Sequence, residues 1–186
     1  MRQILIFLLT CFYLASSAQC GKERWNVKTL SDKDTLKVDF IHVIKTTVNT
    51  QAHLPKPAKI PQKMPRQNTE CNIYTIDCYI VEYKKESDKD IHIVLRDLKT
   101  NATMVAEIPS PFCPEVQKTS RYRKFAELYS WFNRNIGKPT PKFKILPQPL
   151  KVRITGVGFY DFIHGQRGMA PNGREIHPVL SISLIN

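Results

Sequence analysis

Three histidines, two glutamates and an aspartate stand out in this chain as side chains able to carry protons or bind a metal. They are His92, His164, His177, Glu107, Glu175 and Asp161. Strand phase brings several of them together. Ile91 to Asp97 (IHIVLRD) reads as a strand, with Ile91, Ile93 and Leu95 on one face and His92, Val94 and Arg96 on the other. In Thr103 to Ile108 (TMVAEI), Met104, Ala106 and Ile108 share a face opposite Thr103, Val105 and Glu107. A turn over Leu98 to Asn101 sets Asp97 against Ala102 and His92 against Glu107, at cross-strand contact distance. A slip of one residue would undo that pairing. In the last strand Glu175, His177 and Val179 are in phase, apart from Ile176, Leu180, Ile182 and Leu184. The expectation is that His92, Glu107, Glu175 and His177 line the non-core face of one curved sheet. Asp161, His164 and Gln166 lie in the loop above it.

Three chemistries fit this set. In the first, His92–Glu107 and Glu175–His177 are structural pairs, because buried polar groups on strands exist mainly to satisfy hydrogen bonds. In the second, His92, Glu107 and His177 bind a divalent metal, since imidazole with carboxylate suits Zn, Fe or Mn. These ligands lack the close helical spacing of a His-Glu-x-x-His motif. In the third, His92, Glu107, His164 and His177 carry general acid–base hydrolysis of an anionic substrate, such as a phosphodiester. Arg96, Arg153, Arg167 or Arg174 would then neutralise the developing charge. As a binding surface, the same region offers Arg96, Asp161, Gln166, Asn172 and Glu175. Other motifs are absent: there is no phosphate loop, no Gly-x-Ser-x-Gly, and Gly156-x-Gly158 lies within a strand, where it predicts a bulge.

The elements that must position these residues can be read from pattern. Ile73 to Tyr83 is strand-like, and Lys85 to Asp90 is a polar turn into the Ile91–Asp97 strand. Pro109 and Pro111 end the Thr103–Ile108 strand. Ser120 to Ile136 carries Phe125, Leu128, Tyr129, Phe132 and Ile136 on one helical face, with Thr119 or Ser120 as N-cap and Gly137 at the C-terminal end. Lys151 to Phe159 and Ile176 to Ile185 are two further strands. Strand, strand, strand, helix, strand, strand is the order of an OB-fold, a five-stranded Greek-key barrel with a helix between strands 3 and 4. Residues 69–186 form that domain, and residues 19–68 form an N-terminal extension. Its end, Leu54 to Asn68, holds four prolines with Lys56, Lys59, Lys63 and Arg66 and no acid, the composition of an extended basic strap.

Met1-Arg2-Gln3, the apolar run Ile4 to Leu14 and the small residues up to Ala18 read as a secretory signal cleaved near Ala18. The protein is then secreted or periplasmic. Lipidation at Cys20 is the weaker alternative, because Gln19 does not supply the small residue that modification needs. The whole chain has 28 Lys+Arg against 16 Asp+Glu, for a formal charge of +12. Cleavage removes 18 residues, one of them arginine and none acidic, leaving 168 residues at +11. Four cysteines remain, Cys20, Cys71, Cys78 and Cys113, enough for two disulfides in any of three connectivities. A bridge from Cys113 to Cys71 or Cys78 would staple one strand end to another. An aromatic fraction of 10% excludes wholesale disorder, and no zinc-ribbon spacing occurs.

Several stretches resemble a family of secreted bacterial proteins of uncharacterised function. These are Trp25-x-Val27-Lys28-Thr29-x-x-Asp32, Asp90 to Asp97, Thr103 to Pro109 with Pro111-x-Cys113, and Thr155 to Phe162. The longest is His164-Gly165-Gln166-x-Gly168-x-Ala170-Pro171-Asn172-Gly173, running into Glu175-Ile176-His177-Pro178-Val179. The resemblance covers nearly the whole mature chain but implies no activity. From architecture and charge, the expectation is an exported binding module for an anionic polymer, nucleic acid or glycan. A hydrolase, metal-dependent or histidine-based, is the rival.

Overall fold

The computed structural model describes residues 20–60 and 64–186, so the stretch expected to be a signal segment and Lys63 lie outside the described residues. The chain is mainly β. Six strands, β1 (Asp39–Thr46), β2 (Asn72–Lys85), β3 (Ile91–Asp97), β4 (Thr103–Ile108), β5 (Lys144–Tyr160) and β6 (Arg174–Leu184), form one mixed sheet. Its order is β1-β2-β3-β4-β6-β5, and β5 also pairs with β2. The sheet thus has six strands rather than five. The extra one, β1, runs parallel to the first half of β2, along the stretch that β3 leaves unpaired.

The alternation of β2 explains its position. Tyr74, Ile76, Cys78 and Ile80 enter the main core with Ile91, Ile93 and Leu95 of β3 and Met104, Ala106 and Ile108 of β4. Thr75, Asp77 and Tyr79 face outward and are half-buried. A bulge at Val81 then shifts the phase and returns Tyr83 to the core. On β5 the segment holding Pro147 and Pro149 bulges out opposite the same residue, which is how prolines are tolerated in a strand. The expected turn between β3 and β4 is present: the Asp97 amide donates to the Ala102 carbonyl, and His92 pairs with Glu107.

Helix α4 (Tyr122–Asn135) buries Phe125, Leu128, Tyr129 and Phe132 as its periodicity predicts, and Gly137 follows its end at φ 140°. Its N-cap is Arg121, not Thr119 or Ser120, because the Thr119 hydroxyl donates back to the Val116 carbonyl of the short helix α3 (Pro114–Gln117). The N-terminal extension is integral to the fold. Helix α1 (Trp25–Lys28) and the chain to Val38 cover the second face of the sheet, where Trp25, Leu30 and Val38 meet Ile73, Val157 and Phe125. Helix α2 (Val48–Ala52) places Val48 and Ala52 in the main core. Val48→Ala is expected to cost about 2 kcal/mol. Urea denaturation checks this, and an unchanged midpoint would mean that α2 is not part of the core.

Two expectations about phase and cross-linking are corrected. On β6, two extra residues relative to β5 switch the face twice, so Ile176, Val179 and Ile182 share the main core while Leu180 joins the second. Gly156 and Gly158 sit at these irregularities, as their spacing predicted. A Cβ at Gly158 would run into the Arg174 guanidinium. The disulfide joins Cys20 to Cys113, and Cys71 and Cys78 are free. Cys78 points into the core, where burial pushes its thiol pKa up. Cys20 lies on the covering segment beside the β4–α3 loop, so it, and not a strand cysteine, meets Cys113. A sulfur in a disulfide is not available for lipidation. Among the described residues no helix is long and apolar enough to cross a membrane.

Candidate functional site

The row foreseen on the sheet exists, and it is covered. Antiparallel pairing of β3 with β4 sets His92 beside Glu107, and the parallel pairing of Val105 with Glu175 brings β6 to the other side of β4. Glu107 therefore stands between two imidazoles. Its Oε1 is 3.2 Å from His92 Nδ1, and its Oε2 is 3.2 Å from His177 Nδ1. Glu175 Oε2 is 3.9 Å from His177 Nδ1, and Asp90 Oδ2 is 3.5 Å from His177 Nε2. His92, His177 and Glu175 have no exposed surface, and Glu107 is 3% exposed. The cause is α1: Trp25 and Lys28 close over this face, with Lys28 Nζ 3.5 Å from Asp161 Oδ2 and 5.4 Å from the centre of the Phe159 ring. The expected non-core face is thus a buried polar layer.

Burial would disfavour every charge here, so partners decide. Desolvation works against a charged His92, but its hydrogen bonds with Glu107 and Glu86 win and raise its pKa to about 9. His177 is likewise held well above its ordinary value, against burial, by Asp90, Glu107 and Glu175. Burial opposes the ionised form of Glu107, yet His177, His92 and Lys28 keep it well below the usual carboxylate range. Glu175 is pushed up to about 7 by burial and by Asp161 and Glu107, and Asp88 to about 7 by burial, Asp90 and Glu107. Burial opposes the Lys28 charge, but Glu107, Asp161, Glu175 and Asp88 together drive its pKa upward.

The predicted residues divide clearly. His92, Glu107, Glu175, His177 and Asp161 converge, and Gln166 joins them, its Nε2 3.1 Å from Glu86 Oε1 and 2.8 Å from His92 Nδ1. His164 does not: it is exposed, with Nδ1 2.7 Å from the Phe162 carbonyl. Arg96 lies four residues along β3 from His92, over the Tyr79 ring. Asn172 is a structural tie, donating to the Gln51 and Leu54 carbonyls while its Oδ1 accepts from the Arg174 amide. Arg174 is buried between Tyr74 and Tyr160 and donates to Gln51 and Thr69, away from the cluster. Arg153 pairs with Asp77, and Arg167 with Glu82. In the strap, Arg66 is buried on Asp32 and the Val27 carbonyl, so it adds nothing to a basic patch.

Pattern reading missed Lys28, Glu86, Asp88 and Asp90. Lys28 and Asp90 stand in the quoted motifs, Asp90 two residues before His92, so a signal was present. Neither follows from strand phase, because one lies on a helix and the other in a turn. A groove of about 510 Å³ lined by Cys20, Trp25, Lys28, Ser87 and Asp88 lies on the outer side of the cover and shares Lys28 and Asp88 with the site. Comparison with protein-family models finds no match for this chain, and comparison with curated proteins finds none either.

Proposed function

We propose that the chain is an exported, OB-like module that binds an anionic polymer on the outer face of its sheet. The OB-like reading is supported by the return of β5 to β2, by the parallel β4–β6 pair and by α4 between the third and fourth strands of that circuit. Export is supported by the N-terminal sequence and by a disulfide, a bond that persists in oxidising compartments. The motifs quoted above support placing the chain with the uncharacterised secreted bacterial proteins they resemble.

The observation that carries the binding reading is a cross-strand row. Tyr79 of β2 pairs with Arg96 of β3 on one side and with Lys151 of β5 on the other. Arg153 and Lys45 flank the row and share one carboxylate, Asp77. This face presents four cations, one acidic side chain and an aromatic ring, the ingredients of a sequence-tolerant polyanion site, and Lys151 Nζ also donates to the Asn186 carbonyl at 2.7 Å. Burial sharpens the charge: seven of the sixteen acidic side chains are buried, against four lysines and arginines among the described residues. The surface is therefore more basic than the net charge states. The buried His–Glu layer offers a substrate almost no surface, with His92, His177 and Glu175 fully buried and Glu107 3% exposed, which favours binding over hydrolysis.

The test is a fluorescence titration with single-stranded DNA and, separately, with a sulfated glycan. Binding to at least one should weaken with salt, with a log–log slope of about −2 to −3 for DNA if three or four phosphates are neutralised. Arg96→Ala with Lys151→Ala should weaken it at least about tenfold, and Tyr79→Ala by about 1–3 kcal/mol if a base stacks there. Absence of binding to both polymers, or equal binding by the double variant, would refute the reading. The glycan arm alone responding would identify the polymer.

A further inference from the structure

Between β4 and α3 the chain presents one large ring to solvent. Ser110, Pro111 and Cys113 are buried, yet Phe112 among them is 64% exposed. Its backbone is fixed. The Phe112 amide donates to Ser110 Oγ at 3.3 Å, the Cys113 amide donates to the Ser110 carbonyl at 3.2 Å, and Cys113 is bonded to Cys20. The ring meets Tyr129 of α4 edge to face, with centroids 5.7 Å apart. A rigidly held aromatic side chain gives up little further freedom when a partner arrives, which suits it to anchor an interface.

Phe112 and the buried Tyr129 line a groove of about 320 Å³. The turn after β2 supplies Lys85 and Lys89 to it, the chain after α4 supplies Lys138, and no lining residue is acidic. The acids of the same turn are engaged elsewhere: Glu86 with Lys84 and His92, Asp90 with the Ser110 amide, and Asp88 on the groove beside Lys28. Three ammonium groups around an aromatic cleft select an anionic partner that also carries an apolar group. Lys89 has φ 74°, in the left-handed region that residues with side chains rarely adopt. The Tyr129 hydroxyl donates to its carbonyl at 3.3 Å and its amide donates to the Glu86 carbonyl at 3.0 Å, so the fold holds this lysine at the groove against strain. Asn133, in the last turn of α4, lines the same groove, and its buried Oδ1 has no hydrogen-bond partner. An unpartnered acceptor there suits a ligand that brings N–H groups.

We propose that this groove binds an acidic peptide segment of a partner protein. An aromatic or large aliphatic side chain of the segment packs against Phe112 and Tyr129, and its carboxylates meet Lys85, Lys89 and Lys138. A peptide suits the groove better than a nucleic acid, because its main chain carries N–H groups for Asn133 Oδ1 and a sugar–phosphate backbone has none. The groove shares no residue with the sheet face of Tyr79, Arg96, Lys151, Arg153 and Lys45, so the two readings stand or fall separately.

The experiment titrates the isotope-labelled full chain, its disulfide intact, with the acetylated and amidated peptide Glu-Asp-Phe-Asp-Glu, and follows amide NMR shifts. One control peptide has alanine in place of phenylalanine, and another has lysines in place of the acids. Saturable shifts around Lys85, Lys89, Phe112, Asn133 and Lys138 are expected, with a Kd of about 1 mM or tighter. Phe112→Ala should weaken binding at least about tenfold, and Lys85→Ala with Lys138→Ala about tenfold with loss of most of its salt dependence. Arg96→Ala with Lys151→Ala, on the sheet face, should leave it unchanged. No saturable binding of the acidic peptide would overturn the proposal, as would equal binding of either control or full affinity in Phe112→Ala. Larger shifts at the groove from single-stranded DNA than from the peptide would also overturn it, and would assign the groove to the polymer. If Phe112→Ala lowers the melting temperature, the lysine pair decides alone.

Discussion

Glu70→Ala, with Arg24 left in place, is expected to destabilise the fold by about 3–5 kcal/mol, because it strands a buried guanidinium without its counter-charge. Both side chains are fully buried. The carboxylate is completely used: Oε1 accepts from Arg24 Nη1 and the Tyr160 amide, each at 2.7 Å, and Oε2 from Arg24 Nη2 at 2.8 Å and the Gln67 amide at 2.7 Å. Arg24 also donates to the Tyr160 carbonyl at 2.7 Å and lies over the Phe159 ring. One ion pair therefore joins the covering segment, the end of the proline strap and the end of β5. Thermal unfolding should fall by about 6–20 °C for a chain of this size. Replacing both partners with apolar residues of similar volume should cost much less than the single change. Equal losses in the single and double variants would show that packing, and not the unpaired charge, sets the effect.

Removing the Cys20–Cys113 bridge by replacing both cysteines with alanine should cost about 2–5 kcal/mol. The bridge closes a loop with a sequence separation of 93, long enough for the constraint on the unfolded chain to be large. Its position gives the prediction a local part. Cys20 anchors the segment that carries Trp25 and Lys28 over the buried His–Glu layer, so amide hydrogen exchange should accelerate most between residues 21 and 30. Strand β3, whose residues are nearly all buried, should change only with global stability. Uniform acceleration across both regions would mean that the bridge does not hold the cover down separately.

Much of the fold was legible because the pattern is local. The alternation in β3 and β4, with a short turn between them, gave the His92–Glu107 pairing directly. The helical period gave the buried stripe of α4. What failed was non-local. Strand β1 was not recognised because its hydrophobics are mostly exposed: Ile41, Val43 and Ile44 occupy an edge, and alternation is informative only where one face is buried. The phase of β6 beyond His177 failed because bulges are set by the partner strand. The partner of Cys113 could not be chosen from spacing, since loop closure over 93 residues costs little more than over half that distance.

By itself, then, the sequence determined the residue types, the phase that puts Glu107 opposite His92 and Glu175 with His177, the basic charge and the strand–helix order. Only the tertiary structure decided that this polar row is sealed, that Lys28 and Asp90 belong to it, and that His164 and Asn172 do not. The physical reason is that period-two alternation specifies which face a side chain takes, while what covers that face depends on chain packed from far away. Here the cover is a segment more than sixty residues before β3, held by Arg24–Glu70 and Cys20–Cys113.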